Sequence, residues 1–162
     1  MTMQEHLAAA LEQNIGMLKM TLADFSDADL LVRPLPNANH TAWQLGHLIV
    51  SERQMNMAAG AKMPALPPGF EAKFTKETAK VDDPAAFPKK SDLLATYEQQ
   101  RKGTVAWVKG LSQKELDAPG PEHMREFCPT VASLAMLGPG HLAMHMGQMQ
   151  VIRRKLGKPV LF

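Results

Sequence analysis

The sequence predicts an all-α protein, a four-helix bundle with a long crossover between helices 2 and 3. Three observations lead there. Apolar residues recur at helical spacing in four separate segments, strand signals are almost absent, and the longest connection is rich in proline. The chain has 162 residues, enough for one domain over 1–162 with a sizeable core. Its 45% hydrophobic and 21% charged residues are ordinary for a globular protein.

The first helix is expected over 3–24, with Leu7, Leu11, Leu18 and Leu22 on one face and Ile15 beside them. The stretch "FSDADL" breaks it, and "RPLPNAN" reads as loop. The second is expected over 41–60, with Thr41 and Gln44 at capping-box spacing and Gly60 as its stop. The connection 61–90 holds several prolines and lysines and only scattered apolar residues. A connection of that length serves as a lid, a crossover or a disordered segment. It can also span a bundle, so helices 2 and 3 need not be antiparallel neighbours. The third helix is expected over 91–111, capped by Ser91 with Asp92 in its first turn and weakened by Gly103. The fourth is expected over 130–156 and stops at basic residues, Gly157 and Pro159. Pro139 lies inside it, and a kink or break is expected there.

Composition narrows the function classes. A formal net charge of +2, with cations dispersed along the chain, does not point to nucleic acid. The one tight basic cluster, Arg153, Arg154 and Lys155, falls in the last turn of a helix, where it offsets the helix dipole. No apolar run approaches a membrane span. Glu5 and His6 lie where the apolar segment of a signal peptide would be. With Cys128 the only cysteine, a reducing, cytoplasmic setting is expected. Cys128 precedes Pro129 in a loop and reads as a plain free cysteine. The twelve methionines read mainly as core filler.

The chemistry lies in the histidines. "GHLAMHMGQMQ" places His141 and His145 four residues apart. On a helix such residues share a face, with Cβ atoms ~5–6 Å apart, so two imidazoles can reach one metal ion. The pair is either two core histidines or half of a metal site. A third imidazole, His47, sits in the otherwise apolar "TAWQLGHLIVSE". Buried imidazoles without partners are costly, and one shared cation satisfies all three. Three imidazoles leave a coordination position open for water or substrate, as in catalytic rather than structural sites. His6 near the N-terminus, His40 just before the helix-2 cap and His123 in a loop read as ordinary surface or cap histidines.

The segments "NANHTAWQLGHLIVSE" and "GHLAMHMGQMQVIRRKLGKPVLF" resemble the DinB-like (YfiT-type) superfamily of metalloenzymes. The layout of helices, Pro-rich entry and long connection is also similar. The resemblance implies that His47, His141 and His145 bind one divalent ion in a four-helix bundle, often a homodimer. The departure is the "GPG" directly before His141. Gln148 falls on the face of the histidine pair and is a candidate partner of the ligands, the alternative being helix packing. Glu52 is a candidate too, the alternative being a solvated or salt-bridged face. Trp43 is a candidate pocket wall.

Two classes of function stay open. One is a divalent-metal-dependent enzyme acting on a small molecule: a thiol-dependent S-transferase using mycothiol or bacillithiol, as the resemblance implies, or an isomerase or hydrolase. The other is a non-catalytic metal- or ligand-binding stress-response protein, in which metal only stabilises the bundle. Zinc is expected on availability and nickel is the alternative, because three imidazoles suit both.

Overall fold

The computed structural model describes residues 1–161. Five helices form it: α1 (Met3–Leu22), α2 (Thr41–Ala58), α3 (Lys90–Gly110), the single turn α4 (Gln113–Leu116) and α5 (Val131–Lys155). The four long ones match the predicted segments. Among the described residues there is no strand, only an isolated bridge between Pro119 and Thr130.

The side-chain contacts define an unusual order. Gln4 reaches Leu111, Asn14 reaches Arg101 and Lys19 pairs with Glu98, so α1 and α3 are antiparallel. Glu52 and Asn56 meet Arg101 and Thr104, so α2 and α3 run parallel. Gln44 meets His145 and His47 meets His141, so α2 and α5 are antiparallel. The ring runs α1–α3–α2–α5 and closes between α5 and α1. The 61–90 connection therefore crosses the length of the bundle, because two parallel neighbours cannot be joined by a tight turn.

That connection is ordered and anchored. Three short 3₁₀ turns punctuate it, and Phe70, Phe74 and Phe87 are buried in the core. Gly46 on α2 makes room for it, since a Cβ there would lie 2.0 Å from Phe74 Cε1. Gly103 on α3 does likewise for Pro64, at 2.5 Å. The glycine that weakens helix 3 in sequence is thus a contact point for the crossover.

Several local expectations change. The N-cap of α2 is His40, fully buried, whose Nδ1 accepts from Trp43 N at 3.1 Å. Thr41 is already helical, so the Thr41–Gln44 capping box does not form. The N-cap of α3 is Lys89, and the Asp27 carboxylate accepts from Lys90 N at 2.7 Å, leaving Ser91 inside the first turn. α5 runs unbroken through Pro139. Of its terminal cations, Arg153 is buried and forks onto Asp24 while donating to Thr21 O, which ties the ends of α1 and α5 together. Gly60 and Gly157 end α2 and α5 with positive φ, as the sequence suggests.

The interior has two apolar clusters. One, around Leu48, Tyr97, Met146 and Met149, lies at the histidine end. The other, around Leu7, Leu11, Val105 and Val108, lies at the opposite end. Asn14, Glu52, Asn56, Arg101 and Thr104 form a polar layer in the bundle. Arg101 Nη2 lies 2.8 Å from Glu52, Thr104 donates to the same carboxylate at 2.6 Å, and Asn56 donates to Thr104 at 2.9 Å. Among the described residues no helix is long and apolar enough to cross a membrane.

Candidate metal centre

His47 projects from the second turn of α2, and His141 and His145 from the middle of α5. Their rings pack against one another, with centroids 4.9–5.4 Å apart. One nitrogen from each lies within 4.8 Å of the other two. The Nε2 atoms of His141 and His145 are 3.2 Å apart. Two nitrogens held tetrahedrally at ~2.0–2.1 Å from one ion would stand roughly 3.4 Å apart. All three rings are partly buried.

The electrostatics suit a cation held by neutral ligands. Burial pushes the His47 imidazole below its usual pKa. Burial, then the neighbouring His47 and Arg101, bring His141 down to about 4. Burial, then His141 and His47, bring His145 down to about 4. At neutral pH the three rings therefore keep lone pairs available for coordination. No carboxylate or thiolate joins the group among the described residues. The donor set fits one divalent ion with an open position.

The first turns of α2 supply the surroundings. The Trp43 indole lies flat on His47, centroids 5.0 Å apart and 6° between planes, and its Nε1 donates to Thr75 O in the crossover at 3.0 Å. Ser51 Oγ is 3.3 Å from His47 Nδ1. Gln44 Oε1 is 2.9 Å from His145 Nδ1. A cleft of about 560 Å³ opens beside His47, walled by Trp43, Val50, Ser51, Phe74 and Thr75.

The three predicted ligands come together and Trp43 is a wall of the cleft. Gln148 is exposed, and the amide that reaches a histidine is that of Gln44. Glu52 is buried against Arg101 and Thr104 rather than bonded to a ring. Gln44 and Ser51 were missed, although each stands three or four residues from His47 and so shares its helix face. Cys128 is buried, which raises its thiol pKa, and lies in the loop before α5. His6 and His123 are exposed.

Comparison with solved structures finds the same fold in YfiT from Bacillus subtilis, described as a probable metal-dependent hydrolase with an unusual four-helix bundle topology. The TM-score is 0.67 at 17% identity, over 96% of this chain and 89% of that one. None of the curated proteins matches this chain. The family model of the DinB superfamily matches residues 10–149, and the chain belongs to that superfamily.

Proposed function

We propose that this chain is a divalent-metal-dependent enzyme acting on a small molecule, with His47, His141 and His145 as the metal ligands. The observation that carries the reading is the convergence of three neutral imidazoles from two helices, with no fourth acidic or thiol ligand in their group, beside an open cleft. A bound divalent ion would supply Lewis acidity and lower the pKa of a water or thiol at its open position. The chain's own part is to hold the rings, to cover one face of His47 with Trp43, and to shape the cleft with Phe74 and Thr75.

Cys128 is buried in a separate loop and its pKa is raised, so the reading takes the nucleophile from solution. Water makes the reaction a hydrolysis, and the similar YfiT fold, described as that of a probable metal-dependent hydrolase, supports it. A low-molecular-weight thiol would make it an S-transfer. The ion proposed is zinc, with nickel as the alternative. A homodimer belongs to the same proposal. α5 exposes Met136, Met144 and Val151 on one face and carries no charged residue from Val131 to Ile152. Sedimentation showing only monomer at micromolar concentration would count against the dimer.

The test is metal analysis of untagged protein, followed by turnover of ester, amide and electrophilic substrates with and without added thiol. His47→Ala, His141→Ala and His145→Ala should each lose most of the metal, at least the ~10–100-fold in affinity seen for outer-sphere changes. His123→Ala should keep it. Metal retained by His47→Ala at parental affinity would remove the cross-helix site. Metal without turnover across the panel would favour a non-catalytic binding protein.

A further inference from the structure

Gln44 is fully buried, and its amide lies between two groups of fixed character. On one side is the carbonyl oxygen of Asn39, 2.6 Å from Gln44 Nε2. On the other is Nδ1 of His145, 2.9 Å from Gln44 Oε1. A carbonyl can only accept, so the Asn39 side of the amide must be the NH₂. The opposite side is then the amide oxygen, which can only accept as well. His145 Nδ1 must therefore carry the hydrogen, and in a neutral imidazole the lone pair is left on Nε2. That is the nitrogen facing His141 Nε2 across 3.2 Å.

We infer that Gln44 is a positioning residue that fixes His145 as its Nδ1–H tautomer and aims the Nε2 lone pair into the three-histidine cluster. The inference rests on the proposed metal site for its purpose, but the tautomer itself does not depend on an ion. The relay starts from the backbone just before α2, passes through one buried amide and ends on a ligand of α5. It fixes ring rotation and tautomer together, and a ligating histidine needs both. The corresponding contact at His47 is looser, with Ser51 Oγ 3.3 Å from Nδ1, and a hydroxyl both donates and accepts, so it selects no tautomer.

The first test uses uniformly ¹⁵N-labelled, chelator-treated protein at pH 8 and long-range ¹H–¹⁵N correlation of the imidazoles. The expected result is a proton on His145 Nδ1 and a bare Nε2. A proton on Nε2 would overturn the inference without touching the metal reading. The second test measures zinc affinity by competition with a chromophoric chelator. Gln44→Met fills the space but has no amide, and should lose His145 tautomer preference and about 10–100-fold in zinc affinity. Gln44→Glu keeps an acceptor for Nδ1–H but turns a carboxyl oxygen, which bonds only when protonated, towards Asn39 O, so it should keep the tautomer and most of the affinity at a cost in stability. Urea unfolding of both variants separates this from a helix clip. If Gln44→Met loses stability yet binds zinc as the parent does, Gln44 only joins α2 to α5 and the inference fails. If the parent binds no zinc, the metal reading fails, and the tautomer measurement still decides the role of Gln44.

Discussion

Breaking the Glu52–Arg101 pair from its two ends should have unequal consequences. Both side chains are buried, and burial pushes the Glu52 carboxyl upward against the pull of Arg101. Arg101→Met leaves a carboxyl that can take a proton and become neutral. Glu52→Gln leaves a guanidinium that cannot lose its charge in a protein. Removing one partner of a buried pair costs about 3–5 kcal/mol, so Glu52→Gln should reach that range in urea unfolding and Arg101→Met should fall below it. Equal losses would mean that Glu52 stays ionised without its partner. This residue-level detail was hidden from sequence. Glu52 and Arg101 sit on different helices, and no local pattern pairs them. The three histidines of the proposed metal site were visible because their signal is local: an i,i+4 pair, and one imidazole in an apolar run. Gln44 was hidden for the opposite reason, since a local signal was present but false. Its spacing from Thr41 mimicked a capping box, while His40 took the cap and released the amide to His145.

Among the elements, α2 and the crossover depend most on each other. The four long helices were legible because buried leucines repeat at helical spacing and because Gly60 and Gly157 mark two ends. The crossover was not, because Phe70, Phe74 and Phe87 follow no period and each docks through tertiary contact alone. Of the kink or break expected at Pro139, the break does not occur: α5 runs on through a residue that disfavours the helix interior. Gly46 is where α2 and the crossover touch most tightly. Its missing side chain admits the Phe74 ring, so Gly46→Ala drives a methyl into a buried aromatic. Such overpacking costs about 1–3 kcal/mol, and here the movable partner is the crossover. Gly46→Ala should therefore lower stability and raise the rate of limited proteolysis within 61–90. Phe74→Leu should cost less in the Gly46→Ala background than in the parent. A Gly46→Ala protein with parental stability and parental proteolysis would show that the ring moves aside freely.

For the molecule as a whole, the histidine cluster should govern how stability of the metal-free chain depends on pH. His141 and His145 are brought down to about 4 in the fold, against 6.5 for a free imidazole, and His47 is also lowered. His40 shifts in the same direction, mainly through burial. Below pH 6.5 the unfolded chain takes up these protons while the folded chain does not. Stability falls wherever the unfolded state binds more protons as pH decreases. The contribution is fully present above 6.5 and is lost progressively as pH falls towards about 4. The lowered carboxylates Asp24, Asp29 and Glu98 act in a different window, because their free values lie at 3.8–4.5. Glu52 runs the other way, since its raised pKa means the fold gains relative stability as it takes a proton. A fall between about 6.5 and 4.5 is thus the signature of the imidazoles, set against an opposite contribution from Glu52 above 4.5. Urea midpoints of chelator-treated protein should drop across that range, and the double variant His141→Gln, His145→Gln should flatten the drop. Bound zinc should move the fall to lower pH, because coordination also requires the neutral rings. A double variant whose midpoint falls between pH 6.5 and 4.5 as steeply as the parent's would mean that His141 and His145 meet solvent as freely in the fold as in the unfolded chain, and the case for a buried metal centre would fall with it.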